Sequence, residues 1–215
     1  MRLAPEGWPF LRTGLALEVA LVVVAWAFPG WPSRVLALLG MALVAWLAAF
    51  FRDPEREGPR GERLVISPAD GRVLSVAVVD EPMYLHQQAT RISVFMNVFN
   101  VHVNRFPVAG EVEVVHYNPG EFFVASEDKA SLVNEQSSVG IRGPRGPVLV
   151  RQIAGFIARR IVTDAEPGQE VRQGDRLGMI RFGSRVDVFV DGARIVVKEG
   201  QMVHAGLTVL AEYTS

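Results

Sequence analysis

The chain has 215 residues, a formal net charge of −1, no cysteine, 49% apolar residues and a mean hydropathy of +0.22. The absence of cysteine excludes a disulfide framework, thiolate metal sites and cysteine nucleophiles. The near-neutral charge argues against a nucleic-acid partner, which needs a basic face.

The apolar excess is concentrated near the N-terminus. Thr13–Phe28 is interrupted only by Glu18 among its apolar residues, and Val35–Phe51 is apolar throughout except at Gly40. The second run reaches the length of about 17 residues that a spanning helix needs, and the first is marginal. Pro29-Gly30-Trp31-Pro32 separates them as a helix-breaking turn. These features predict a hydrophobic helical hairpin over residues 1–51. A cleaved signal peptide and a buried helical pair of a soluble fold are the competing readings. Arg2 and Arg12 precede the hairpin and Arg52, Arg56, Arg60 and Arg63 follow it, with only Arg34 in the turn. The positive-inside rule therefore places both ends, and the rest of the chain, on the cytoplasmic side of a cell membrane.

From Leu64 onward, short β-rich runs alternate with Gly, Pro and Asp turns. The runs are Gly71–Val79, Arg91–Val98, Gly110–Val115, Pro147–Ile153, Arg176–Arg181, Arg185–Val190, Arg194–Lys198 and Leu207–Tyr213. Such spacing predicts a mainly β domain, a β-sandwich or hybrid barrel, over residues 52–215. Ala154–Val162 could form a helix. Gly140–Gly146 lacks the G-K-[ST] ending of a phosphate loop and reads as a plain loop. Gly168-Gln169-Glu170-Val171 with Gly174 recurs as Gly200-Gln201-Met202-Val203 with Gly206, 32 residues on. This pattern resembles lipoyl- or biotinyl-type β-hammerhead modules, although Lys129 and Lys198 do not stand where a carrier lysine would.

Three places carry candidate chemistry. The four histidines show no metal-ligand spacing, so no metal site is expected. Asp70 lies in Ser67-Pro68-Ala69-Asp70-Gly71, where it could simply form a turn. A strand through Asn100, His102 and Asn104 would put all three on one face, either as a site or as a solvated edge. Ser184 follows Gly183 between two β runs. Glycine leaves its carbonyl unshielded, so the serine hydroxyl could attack it once a base such as a His–Asp pair removes the proton.

Taken together, the hydrophobic hairpin, Phe50-Phe51-Arg52-Asp53-Pro54-Glu55-Arg56, Ser67–Val73, Asn97–Pro107, Gln152–Val162 and Gly174–Val190 resemble, in this order, the short bacterial and archaeal form of phosphatidylserine decarboxylase. The resemblance implies a zymogen that cuts itself between Gly183 and Ser184. Ser184 would attack the Gly183 carbonyl to give an ester. Elimination and hydrolysis would then leave a pyruvoyl group and ammonia. The products would be a β chain, 1–183, and an α chain, 184–215, that remain associated. By the family pattern, His102 takes the Ser184 proton and Asp70 orients His102. The pyruvoyl cofactor would then serve the decarboxylation of phosphatidylserine to phosphatidylethanolamine at the membrane. Longer members carry a second histidine where this chain has Arg105, which could clamp a phosphate or carboxylate instead. Arg105, Asn104 and Arg185 are the candidate head-group contacts, and a homodimer is compatible with the resemblance. Two alternatives are a related decarboxylase of an archaeal-type serine ether lipid and a non-enzymatic, membrane-anchored β-barrel adaptor.

Overall fold

The computed structural model describes residues 2–120, 134–155, 160–181 and 184–214. The chain divides into two compact units, Met1–Glu55 and Arg56–Ser215.

In the first unit, β1 (Arg2–Leu3) and a single 3-10 turn lead into α1 (Trp8–Ala27). The Pro29–Gly30 break then gives way to α2 (Trp31–Phe50), and β2 (Arg52–Asp53) returns to pair with β1. Both helices start earlier than the apolar runs, because Pro9 and Pro32 sit in their first turns, where a missing N–H costs nothing. Both helices have 20 residues. At the rise of an α-helix, each spans about 30 Å. Leu15, Leu17, Val19, Val23, Leu36 and Leu38 are among the many apolar side chains that stay exposed on them. A Cβ on Gly40 would overlap the Glu18 carboxylate, so glycine here allows the close approach of the two helices.

The second unit is mainly β. Its strands are β3 (Leu64–Ile66), β4 (Gly71–Glu81), β5 (Gln87–Met96), β6 (Val103–Arg105), β7 (Gly110–Asn118), β8 (Gln136–Gly143) and β9 (Gly146–Ala154). There follow β10 (Ile161–Thr163), β11 (Glu170–Val171), β12 (Arg176–Ile180), β13 (Ser184–Val190), β14 (Arg194–Ile195), β15 (Met202–Val203) and β16 (Val209–Glu212). The expected strands are all present with shifted ends. Two expectations change. Gly140–Gly146 is not a plain loop, because β8 runs through Gly143 and turns directly into β9. The expected helix at Ala154–Val162 is replaced at both described ends by strand, β9 ending at Ala154 and β10 starting at Ile161, while residues 156–159 lie outside the described set.

The large sheet has the order β11-β7-β8-β9-β13-β5-β4-β15, and two three-stranded sheets have the orders β10-β12-β6 and β14-β16-β3. These orders reveal an internal duplication. Swapping β11 with β15, β7 with β4, β8 with β5 and β9 with β13 reproduces the large sheet in reverse, and swapping β10 with β14, β12 with β16 and β6 with β3 converts one small sheet into the other. Details repeat as well. Bulges fall between Val73 and Ser75 in β4 and between Val112 and Val114 in β7. The amide of Gly200 bonds the Val73 carbonyl, and that of Gly168 bonds the Val112 carbonyl. Both glycines have a positive φ near the left-handed region, which glycine enters without strain. The hammerhead-like G-Q-x-V-x-x-G repeat is thus the visible part of a larger duplication, whose halves meet at β9 and β13.

Strand β13 is central and all seven of its residues are buried. Val186, Val188 and Val190 join the main core with Val73, Ile92, Val94, Val139, Val150 and Leu177. Phe189 joins a smaller cluster with Leu85, Ala89 and Leu149. The two-residue period therefore puts Ser184 on the main-core face and Arg185 on the other.

Candidate active site

Ser184 opens β13 and pairs in register with Met96 of β5 and Ala154 of β9. It is fully buried, and its hydroxyl has no hydrogen-bond partner among the described residues. A buried hydroxyl without a partner costs stability. Gly183, the other half of the expected scissile bond, lies outside the described residues.

Met96 ends β5, and a tight turn follows it. The Asn97 amide bonds Asn100 Oδ1 at 2.9 Å, and the Phe99 amide bonds Asn97 Oδ1 at 2.9 Å. This turn delivers the chain to His102, which is completely buried. The strand starts at Val103, so Asn100 belongs to the turn rather than to a shared face with His102 and Asn104. His102 Nδ1 lies 3.1 Å from the Asn100 carbonyl oxygen. A carbonyl only accepts, so Nδ1 carries the proton and Nε2 is the basic nitrogen of the neutral ring. The His102 carbonyl in turn accepts the Ile180 amide at 3.4 Å, tying the histidine to the segment that leads toward Ser184.

Asp70 is the last residue before β4. Its Oδ2 is 2.8 Å from Arg56 Nη2, and its Oδ1 accepts the Ala205 amide at 2.7 Å. His204 Nδ1 lies 3.7 Å from Oδ2. Here His102 Nδ1 faces the Asn100 carbonyl, while the Asp70 carboxylate is bound by Arg56 and the Ala205 amide. The Asp70 loop still adjoins His102's strand, because the Arg105 amide bonds the Pro68 carbonyl at 2.9 Å.

Asn104 joins these segments. Its Nδ2 lies 3.5 Å from the Pro68 carbonyl and 3.6 Å from Met96 Sδ. Its Oδ1 accepts from Gln152 Nε2 at 2.8 Å, and Gln152 Oε1 accepts from Thr163 Oγ1 at 3.0 Å. The buried amide thus connects the Asp70 loop, the strand partner of Ser184 and β9. Arg105 donates to the Gly174 carbonyl at 3.0 Å and is half-buried. Arg185 is held on Asp187 at 2.6 and 2.7 Å with both side chains buried, on the face away from Ser184.

Sequence reasoning missed Arg56, Gln152 and His204. A spacing signal existed for the surrounding frame, since Ser67-Pro68-Ala69-Asp70-Gly71 and Phe106-Pro107-Val108-Ala109-Gly110 share proline and glycine at matching places.

Residues 43–211 match the family model for phosphatidylserine decarboxylase. The chain belongs to this family. It is 46% identical over 212 residues to a protein of Azorhizobium caulinodans, covering 97% of this chain and 88% of that one. A Nitrobacter winogradskyi protein is 48% identical over 214 residues, covering 97% and 83%. A Xanthobacter autotrophicus protein is 44% identical over 214 residues, covering 98% and 88%. All three are named phosphatidylserine decarboxylase proenzyme. As a member of this family, the chain is a decarboxylase.

Proposed function

We propose that this chain converts phosphatidylserine to phosphatidylethanolamine and CO₂ by means of a pyruvoyl group made from its own Ser184. The observation that carries the reading is the Ser184 hydroxyl, buried and without a hydrogen-bond partner among the described residues, at the start of the central strand. The word proenzyme in the relatives' names supports a processing step.

In the first stage, Ser184 Oγ attacks the Gly183 carbonyl carbon while His102 Nε2 takes its proton. The amide bond is exchanged for an ester. β-Elimination breaks that ester, frees residues 1–183 with a carboxylate end, and leaves dehydroalanine at position 184. Water then converts its enamine nitrogen to ammonia and leaves the ketone.

In the second stage, the pyruvoyl group would supply an electrophilic ketone and an electron sink for loss of CO₂. The chain's own part is to bind and orient the head group and to return a proton to the carbon that lost CO₂. His102, once Nε2 has taken up a proton, would donate it to that carbon while Nδ1 stays on the Asn100 carbonyl. Arg105, the half-buried cation three residues on, would face the lipid phosphate or carboxylate.

The substrate stays in a bilayer, so the site must be brought to it. The two helices of residues 1–51 are long and apolar enough to cross a membrane. Their exposed apolar side chains support membrane attachment, with residues 52–215 on the cytoplasmic side by arginine placement. Purified wild-type protein presented with phosphatidylserine vesicles should yield phosphatidylethanolamine and CO₂. Ser184→Ala should remain a single chain on a denaturing gel and yield neither. Full decarboxylation by uncut Ser184→Ala protein would end this reading.

A further inference from the structure

The family pattern gives Asp70 a role and no means of holding it. In the structure both of its oxygens are committed, one to Arg56 Nη2 at 2.8 Å and the other to the Ala205 amide at 2.7 Å. The Arg56 and Asp70 side chains are 12% and 7% exposed. His204, 55% exposed and 3.7 Å away, is the other titratable group facing the carboxylate among the described residues.

A largely buried ion pair is weak evidence for stability, because desolvation of both charges offsets their attraction. The internal duplication tests whether this pair serves the fold. The turn Ser67–Gly71 has a counterpart in Phe106–Gly110. The two prolines make equivalent bonds, the Arg105 amide to the Pro68 carbonyl at 2.9 Å and the Ile66 amide to the Pro107 carbonyl at 3.0 Å. The following glycines both start long strands, β4 and β7. The Gly206 amide bonds the Ser67 carbonyl, as the Gly174 amide bonds that of Phe106. Yet Ala109 stands where the first copy has Asp70, and Arg172 where it has His204. The second turn is built on the same backbone bonds without a carboxylate. The motif therefore does not need Asp70 or its cation to fold.

We infer that Arg56 is a positioning residue for self-cleavage. It fixes the Asp70 carboxylate beside the strand that follows His102, and it acts only through Asp70. This inference rests on the reading of Ser184, His102 and Asp70 as the cleavage machinery. The Ala205 amide contributes the second anchor from residues 184–215, so the carboxylate is gripped from both sides of the expected cut.

The test follows cleavage on denaturing gels after synthesis of the full chain, with thermal unfolding as the check on folding. Arg56→Met should slow cleavage by about tenfold or more, the scale expected when a group near the chemistry loses its position. Arg56→Lys, which keeps the charge, should recover most of the rate. The double variant Arg56→Met/Asp70→Asn should cleave no more slowly than Asp70→Asn alone, because both changes remove one interaction. Arg56→Met cleaving as fast as wild type, or a double variant showing the product of both single effects, would overturn the inference. So would failure of both Arg56→Met and Arg56→Gln to fold while Asp70→Asn folds, since Arg56 would then serve the fold. A wild-type chain that never cleaves counts against the self-cleavage reading itself and takes this inference with it. A cleaving wild type with unaffected Arg56 variants counts against Arg56 alone.

Discussion

His102 Nδ1 sits 3.1 Å from the carbonyl oxygen of Asn100, two residues earlier in the same turn. A backbone acceptor thus favours the proton on Nδ1 in the neutral ring, and Nε2 is the nitrogen proposed as the base. His102→Gln keeps a polar side chain of similar reach without a basic nitrogen. It should reduce self-cleavage by about 10²–10⁴-fold, the usual worth of a positioned base, as measured by accumulation of uncut chain.

Ser184 lies in the strand that bonds to β9 on one side and β5 on the other. Cutting before it leaves β13 through β16 on the small chain, still paired to the large one. The two fragments should therefore elute together in gel filtration and separate only in denaturant. Release of residues 184–215 under native conditions would contradict the sheet order.

Asn104 and Gln152 form a buried hydrogen bond of 2.8 Å that continues to Thr163. Gln152→Leu leaves Asn104 Oδ1 without this donor and removes the acceptor of Thr163. The expected cost is about 1–3 kcal/mol of stability, read by urea unfolding, with slower cleavage because Asn104 touches both Pro68 and Met96.

Arg185 and Asp187 form a two-pronged pair within β13, with both side chains buried. Arg185→Met strands a buried carboxylate and should destabilise by about 3–5 kcal/mol, whereas Arg185→Met/Asp187→Leu should recover much of that loss. Thermal unfolding of the three proteins checks the order. Equal melting temperatures for wild type and Arg185→Met would contradict it.

Burial alone would raise the Glu81 carboxyl. The amides of Leu85, Tyr84 and Met83 and the Arg151 guanidinium outweigh it and hold the group below its ordinary value. A depressed carboxylate adds stability above its unfolded pKa and loses it as pH falls through the lower folded value. Glu81→Gln should therefore be less stable than wild type at neutral pH, and the gap should close only in acid below the ordinary carboxylate range. Thermal unfolding of both proteins across that range checks it.

Much of this frame can be read from residue order. The helical pair follows from two apolar runs broken by Pro29–Gly30, and most strands follow from short β-branched runs between turns. Strand β8 escaped because Ser137, Ser138 and Gly140 look like loop residues. They are buried because polar partners reach them, as in the 2.6 Å contact of Ser137 Oγ with Thr163 Oγ1. Arg185 drew attention by its nearness to Ser184, but alternation along the strand sends it to the opposite face. Arg56 and His204 lay hidden for another reason. Their contacts with Asp70, 14 and 134 residues away in the chain, are made only in the folded structure.

The central claim is that Ser184 becomes the electrophile. Intact-mass measurement of the small chain from active wild-type protein tests it most directly. The account predicts residues 184–215 with a mass lower by one ammonia than the same chain beginning in serine. Active protein whose mass is that of one uncut chain, or a small chain with an unmodified serine terminus, would contradict it.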